Sequence, residues 1–300
     1  VLSQWTKQDV EEGQNPDGTV YTATITYEAD GDYTFKIECT DQAGNKAKSF
    51  EPHTFTIDRT LPTVSVTYDN MSALNGNYFR ADRTATITIV EHNFDPARVQ
   101  VDGKAADNGA AVAFPAISAW TNNGDVHTAT IHYGADARYT FDIAFADMAG
   151  NSIADYTPEE FYVDKTAPTL EIGGVADRSA NNGTVAPFIT FTDTNYNPNA
   201  ITYTLVGVNN GTVTYDSSLA DVANGQTVTF ADFERVQQVD DIYTLTATMT
   251  DMAGNETTAS ITFSANRFGS VYDLSAMQKQ NGKYLQTEED IVFTEVNVDT

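Results

Sequence analysis

Apolar and polar residues alternate along much of this chain in short stretches. In the segment 139–145, Tyr-Thr-Phe-Asp-Ile-Ala-Phe, a large apolar side chain stands at every second position. Successive side chains of a β-strand point to opposite faces of a sheet, so this period indicates strands that bury one face. No segment has the apolar spacing of an amphipathic helix. The pattern predicts a protein built from strands.

One stretch of this pattern occurs three times. The copies are Tyr33–Asn45, Tyr139–Asn151 and Tyr243–Asn255; they lie 106 and 104 residues apart, and each ends in Asp-x-Ala-Gly-Asn. Further markers recur in the same order: an acidic-x-Asn triplet at 91–93, 193–195 and 295–297, Asp-(Lys/Arg)-Thr-x-Pro-Thr at 58–63 and 164–169, and related strands at 20–27 and 126–133. A period of this length is too long for a solenoid repeat and matches one small sandwich domain.

The repeat divides the chain into four predicted parts. Residues 60–165 and 166–265 each hold a complete domain, residues 1–59 hold the C-terminal half of a domain, and residues 266–300 hold the N-terminal half of a further, divergent one. A half-domain exposes an apolar face unless something pairs with it.

Within residues 60–165 the alternation predicts seven strands. They are expected near 63–68, 84–90, 97–102, 111–118, 126–133, 138–146 and 153–163. Seven short strands are the number found in an immunoglobulin-type sandwich. The predicted fold is therefore all-β, a tandem array of immunoglobulin-like antiparallel β-sandwiches in an elongated arrangement.

The repeated stretch contains two structural motifs. Tyr33, Tyr139 and Tyr243 precede a core strand and are predicted to form tyrosine corners, in which the phenol bonds back to the preceding loop. The Asp, Gly and Asn of each repeated turn are predicted to shape a hairpin, because Gly accepts positive φ and Asp accepts backbone hydrogen bonds. These turn residues are Asp41, Gly44, Asn45, Asp147, Gly150, Asn151, Asp251, Gly254 and Asn255.

The single cysteine, Cys39, lies in this strand. It shares a face with Phe35 and Ile37 and aligns with Phe145 and Met249 of the other copies. We therefore expect Cys39 to fill a core position and to have no nucleophilic role. One cysteine cannot form an intramolecular disulfide, so each sandwich must be stabilised by its core.

These motifs carry a resemblance to a known family. The Asp-x-Ala-Gly-Asn turn, the following strand and the Asp-(Lys/Arg)-Thr-x-Pro-Thr segment resemble the bacterial Ig-like domain repeats of large Gram-positive cell-surface proteins. The resemblance covers essentially the whole chain. It implies an extracellular location, on the bacterial cell surface or secreted, and a spacer or adhesive role. Related domains also accompany secreted glycoside hydrolases.

The charge of the chain excludes some partners. Its 300 residues include 42 acidic and 16 basic ones, a formal net charge of −26. Such a surface repels phosphate backbones and anionic lipids, so we expect neither nucleic acid nor membrane as a partner. No apolar run reaches the length of a membrane span. Val1 lies within a repeat with no secretion signal before it, so we expect this sequence to be part of a longer chain.

No catalytic constellation is evident. The four histidines, His53, His92, His127 and His132, have no motif-linked nucleophile, and neither zinc spacing nor a glycine-rich phosphate loop occurs. We therefore expect no enzyme activity and no catalytic residues.

Calcium is the cofactor candidate. The residues that could hold it combine the acidic-x-Asn triplets with the aspartates between domains: Asp58, Glu91, Asn93, Asp164, Asp193 and Asn195. Calcium binds several hard oxygen ligands, and an ion held from both sides would stiffen a junction. The alternative is that these acidic strand ends are simply solvated.

Glycan binding is a second hypothesis. Trp5 and Trp120 recur with the repeat, and Tyr78, Phe94, Tyr196 and Tyr203 lie near strand ends, although aromatics are more often core residues. The stretches Asp102–Gly109 and Val208–Asn224 are the candidate binding loops.

Three functions compete. They are a non-catalytic spacer or stalk that projects a distal domain, an adhesin or carbohydrate-binding module that contacts host glycan or protein, and an accessory module of a glycoside hydrolase. The shared residues are turn, junction and core positions, and the short linkers at Pro62 and Pro168 restrict bending. This favours the spacer, whose partners are the neighbouring Ig-like domains of the same chain.

Overall fold

The computed structural model describes residues 1–9, 19–213, 222–268, 271–273, 282–286 and 292–294. The triplet 295–297 and residues 214–221 of the stretch Val208–Asn224 lie outside the described residues. Apart from strands, the described chain has only short 3₁₀ helices, at Pro96–Arg98, Pro198–Ala200 and Gln237–Val239. The predicted all-β fold class is confirmed.

The strands are numbered along the chain. Residues 1–59 contain β1 (Thr6–Asp9), β2 (Thr19–Thr22), β3 (Gly31–Phe35) and β4 (His53–Ile57). The next group is β5 (Thr63–Tyr68), β6 (Tyr78–Phe79), β7 (Arg83–Val90), β8 (Gln100–Asp107), β9 (Ala110–Val112), β10 (Thr121–Asn123), β11 (Val126–Tyr133), β12 (Ala137–Ala144) and β13 (Glu159–Val163).

The remaining strands repeat this order. They are β14 (Thr169–Gly173), β15 (Ser179–Asn181), β16 (Phe188–Thr192), β17 (Ile201–Gly207), β18 (Gly211–Thr212), β19 (Thr227–Thr229), β20 (Asp241–Thr250), β21 (Glu256–Ala265), β22 (Val271–Asp273) and β23 (Val292–Thr294). We call β5–β13 the first sandwich and β14–β21 the second sandwich.

Each sandwich consists of two sheets. In the first sandwich the strand orders are β10-β11-β7-β5 and β6-β13-β12-β8-β9, and in the second they are β14-β16-β19 and β15-β21-β20-β17-β18. The pairs are antiparallel except β6 with β13 and β15 with β21, which are parallel. The backbone N–H of Asp164 extends the first parallel pair by donating to Phe79 O at 2.9 Å.

The two sandwiches bury separate cores. β7 and β20 alternate strictly between buried and more accessible residues, as the sequence pattern predicts. The first core centres on Ile87, Ile131 and Phe141, and the second on Phe191 and Leu245. Fully burying one such side chain stabilises a fold by about 1.5–3 kcal/mol. The division of the chain at residues 59, 165 and 265 remains a prediction.

Residues 1–59 present an apolar face that is exposed. In each complete sandwich the corresponding face is covered. Phe141 and Ile143 are buried opposite β5 and β7, whereas the aligned Ile37 is 44% exposed. The expectation that Cys39 fills a core is wrong, because this side chain is exposed. Phe145, at the aligned position, is buried in the first core, where the Phe94 ring lies 5.4 Å from it.

Three predicted strands differ from those observed. Residues 96–98 form a 3₁₀ helix capped by the Asp95 side chain, so the strand expected at 97–102 begins at Gln100 and continues to Asp107. Most of the candidate loop Asp102–Gly109 is therefore strand. The strand expected at 111–118 is limited to β9, and the strand expected at 153–163 begins only at Glu159.

Candidate metal centres at the domain junctions

The repeated turn is stabilised by its own aspartate. Asp147 Oδ1 accepts hydrogen bonds from the backbone N–H groups of Gly150 at 2.7 Å and Asn151 at 2.8 Å, and its Oδ2 accepts from Asn151 Nδ2 at 2.8 Å. Asn45 bonds to Asp41, and Asn255 to Asp251, in the same way. Gly150 has a φ of 96°, which a residue with a side chain rarely adopts.

The turn also contacts the preceding junction. Asn151 Nδ2 donates to the backbone oxygen of Asp58 at 3.1 Å, and Asn255 Nδ2 donates to the backbone oxygen of Asp164 at 3.0 Å. Asn151 and Asn255 thus each join their sandwich to the aspartate at which the chain enters it.

The tyrosine hydroxyls bond within their own domains. Tyr33, Tyr139 and Tyr243 donate to the backbone oxygen four residues upstream, at 2.7, 2.8 and 2.6 Å. This is the bond of a tyrosine corner.

The acidic-x-Asn triplet reaches the same junction aspartate. Asn93 Nδ2 donates to Asp58 Oδ2 at 2.7 Å, and the Asn93 backbone N–H donates to Glu91 Oε1 at 2.7 Å. At the next junction Asn195 makes the equivalent bonds to Asp164 at 2.8 Å and to Asp193 at 2.6 Å. The asparagines therefore orient the carboxylates of the triplet and the linker towards each other.

Each junction gathers three carboxylates. Asp58, Glu91 and Asp147 form the first cluster, and Asp164, Asp193 and Asp251 form the second; within each, one oxygen per residue lies within 4.8 Å of the others. The predicted pairs Asp58–Glu91 and Asp164–Asp193 are thus brought together, with Asn93 and Asn195 beside them. The third carboxylate of each cluster was not predicted from the sequence, because turn chemistry alone accounts for Asp147 and Asp251. The signal that could have identified it is the recurrence of this aspartate in every copy of the repeat.

The carboxylates of the two clusters are buried or half-buried. Burial raises the pKa of Glu91, with smaller contributions from the charges of Asp58 and Asp147. Burial also raises the pKa of Asp164, and it raises the pKa of Asp193 to about 6, with the charges of Asp164, Asp251 and Asp136 adding to the effect. No ion pair among the described residues involves any of the six carboxylates.

The donor set fits a hard divalent cation. Three carboxylates at this separation repel one another, and a carboxylate keeps lone pairs after accepting one or two hydrogen bonds. Calcium binds six to eight such oxygens, from carboxylates, carbonyls and water. Neither cluster includes a thiolate or an imidazole, so a soft-metal site is not formed there.

The second junction has a further contact on its other side. Asn75 Nδ2 donates to Met252 O at 2.8 Å, and Arg80 Nη1 donates to Gly254 O at 3.1 Å. The loop before β7 of the first sandwich therefore holds the turn of the second sandwich.

Most aromatics proposed for glycan stacking are engaged in packing. Phe94 stacks on His127 at 4.0 Å and contacts Trp120 at 5.0 Å, while Tyr78 stacks on Tyr162 at 4.4 Å. Tyr196 and Tyr203 pack against the second core. Trp5, in contrast, is 60% exposed, beside the apolar face of residues 1–59.

The family assignment comes from a family model. The model for bacterial Ig-like domain (group 3) matches residues 19–125 and 128–266. The chain belongs to this family. Each match of the group 3 Ig-like model starts in the middle of a domain. The matches therefore follow the spacing of the repeat, but their bounds do not coincide with the bounds of the sandwiches.

Solved structures with similar architecture share little sequence. Three Ig domains of titin are 9% identical over 87% of this chain and 81% of that chain, with a TM-score of 0.35. The Yersinia pseudotuberculosis adhesin InvE is 16% identical over 67% of this chain and 58% of that chain, with a TM-score of 0.30. Fibronectin(III)-like modules of Clostridium thermocellum CbhA are 12% identical over 67% of this chain and 94% of that chain, with a TM-score of 0.24.

These identities and TM-scores are too low to indicate a role for the group 3 Ig-like chain. No curated protein matches its sequence. In the described parts of the chain, no helix has the length and hydrophobicity that crossing a bilayer requires.

Proposed function

We propose that this chain is a non-catalytic spacer in the stalk of a large bacterial surface protein, as in Gram-positive bacteria, where it projects a distal domain outside the cell. The observation that carries the proposal is the repeated junction, in which a linker aspartate, a triplet and a turn from the next sandwich converge at equivalent positions. A spacer needs its scaffold and its junctions to be reproduced in each module. The shared positions of this chain belong to those two classes.

We further propose that calcium binds at both junctions and limits bending between modules. A cation among the three carboxylates replaces their mutual repulsion with attraction. Because its ligands come from the linker and from the turn of the following sandwich, an ion fixes the angle at which the chain enters that sandwich.

Thermal unfolding tests the metal. After treatment with a chelator, calcium should raise the Tm of the 300-residue chain, and the increase should grow with calcium concentration. A variant with Glu91→Gln and Asp193→Asn should lose this response. The matched control, Glu171→Gln with Asp102→Asn, removes the same charges from exposed strand positions and should retain it. An unchanged Tm of the original chain would contradict calcium binding.

Small-angle scattering tests the spacer. The distance distribution of the chain with calcium should be that of an elongated particle, and removal of calcium should broaden it. A compact particle under both conditions would be incompatible with a stalk.

Adhesion through aromatic platforms is the weaker alternative. Five of the six aromatics considered for it pack against other side chains. Binding to a glycan array by the chain, lost on Trp5→Ala, would favour the adhesin or the hydrolase accessory module.

A further inference from the structure

A fourth aspartate lies beside each junction. Asp30, Asp136 and Asp240 each stand three positions before a corner tyrosine. In the first two domains this aspartate lines the same cleft as the junction carboxylates: Asp30 with Asp58 and Glu91, and Asp136 with Asp164 and Asp193. The surroundings of these aspartates differ from copy to copy.

At the first junction both oxygens of this aspartate are used. Arg59 Nε donates to Asp30 Oδ1 at 2.9 Å, and the Arg59 backbone N–H donates to Oδ2 at 3.0 Å. Thr60 Oγ1 also donates to Oδ2, at 3.1 Å. The guanidinium therefore neutralises Asp30, leaving it a poor cation ligand.

Asp240, the equivalent aspartate of the third copy, also accepts hydrogen bonds. Asp240 Oδ2 accepts hydrogen bonds from the backbone N–H groups of Arg267 and Phe268, both at 2.8 Å.

At the second junction the equivalent aspartate is Asp136, and only one of its two carboxylate oxygens is hydrogen-bonded in the described structure. Thr166 Oγ1 donates to Asp136 Oδ2 at 2.6 Å, whereas Asp136 Oδ1 is buried and has no hydrogen-bond partner among the described residues. Lys165, which aligns with Arg59, donates instead to Asp82 Oδ1 and to Gly134 O, each at 2.7 Å. A buried carboxylate oxygen without a partner is costly, so its environment favours a ligand.

We propose that Asp136 is an additional calcium ligand, directly or through a bound water, and that the second junction therefore binds calcium more tightly than the first. This inference rests on the proposed calcium binding. Arg59 already occupies the equivalent carboxylate at the first junction, so only the second cluster gains a fourth anionic group. The two junctions then fill in sequence as the calcium concentration rises.

Calorimetric titration of the whole chain with calcium chloride tests the assignment. Asp193→Asn should remove the tighter binding step, and Glu91→Gln should remove the weaker one. Asp136→Asn should weaken the tighter step by about 10–100-fold, the range found when a supporting group of a metal site is lost. Its matched control, Asp30→Asn at the first junction, should leave both steps unchanged.

A gain-of-binding variant provides an independent measurement. Arg59→Ala removes the guanidinium from Asp30 and frees its Oδ1, so this variant should tighten the weaker step. Equal effects of Asp136→Asn and Asp30→Asn would overturn the inference, as would loss of the tighter step in Glu91→Gln. In either case calcium binding itself stands. Absence of any binding step in the original chain would instead refute the proposed calcium site, and the inference with it.

Discussion

Single hydrogen bonds at repeated positions hold each loop to its sandwich. The phenol of Tyr139 is almost fully buried, and its hydroxyl has the Ala135 carbonyl as its partner. A buried hydroxyl contributes through the bond it makes, while an exposed one can exchange its partner for water. Residues of the same type therefore differ in importance according to burial.

Replacing Tyr139 by Phe should lower the free energy of unfolding by about 1–2 kcal/mol, because the Ala135 carbonyl loses its donor. The change is measured by urea unfolding. Tyr162→Phe is the control: this hydroxyl bonds to Glu160 at an exposed site and at the long distance of 3.4 Å, so the change should stay within about 0.5 kcal/mol. Equal losses in the two variants would argue against the corner.

The pH response of the metal-free chain follows from the raised pKa of Asp193. Since the pKa of Asp193 in the folded chain, about 6, lies above the ordinary aspartate value of 3.8, the folded state binds the proton more tightly. The cost of the buried charge is complete above pH 6 and is relieved as the pH falls from about 6 towards 4. With chelator present, lowering the pH from 7 to 5 should therefore raise Tm.

Calcium should reverse this trend, because protons compete with the ion for the carboxylates. Asp193→Asn should flatten the pH dependence of the metal-free chain. A metal-free Tm that falls steadily from pH 7 to pH 5 would show that these carboxylates do not control the response.

At the scale of elements, the sequence identifies strands whose inner face carries large side chains. β5, β11 and β12 lie where alternation predicts them. The strand predicted near 97–102 includes only the start of β8, because the later inward positions of β8 are Gly103 and Ala105, and a Cβ at Gly103 would stand 2.2 Å from the Phe114 ring. When small residues occupy the inward positions of a strand and make room for an aromatic ring, the sequence shows no alternation of large apolar and polar side chains.

Burial and long-range clustering also require information beyond one strand. Cys39 has the pattern of a core residue, yet its side chain is exposed, because the described part of residues 1–59 forms only the two-stranded sheets β1-β2 and β3-β4. The triplets and linker aspartates could be selected as junction residues from their spacing. That Asp147 joins Asp58 depends on the return of a distant hairpin, which no local pattern encodes.

The turn elements give a direct test of backbone conformation. Gly150→Ala should destabilise the first sandwich by about 1 kcal/mol or more, since Gly150 has a φ of 96°. Gly183→Ala is the control, because Gly183 has neither a positive φ nor a neighbour within 4 Å of an added Cβ. Urea unfolding of the two variants measures the difference. A destabilisation no greater than that of Gly183→Ala would exclude strain at the turn.

On the scale of the molecule, two sandwiches follow each other through short linkers and share side-chain contacts. The turn of the second sandwich is held by Asn75 and Arg80 on one side, while Asn255 bonds to the linker on the other. The apolar face of residues 1–59 has no such cover in the described structure. The reactivity of Cys39, the single thiol of the chain, shows whether this face is covered in solution.

Cys39 should react with an aromatic disulfide reagent in the native chain as fast as it does in denaturant, because its side chain is exposed. The absorbance of the released thiolate measures the rate. A rate slowed many-fold, and restored by denaturant, would show that this face is covered in solution.

The parallel pairing of β6 with β13, and of β15 with β21, has a mechanical consequence. The later strand of each pair leads directly out of its sandwich, while the earlier one lies near the entry of the chain. A pull on the two ends would draw such neighbours past each other, so their hydrogen bonds would have to break together. A row of these modules would therefore resist stretching without any covalent crosslink.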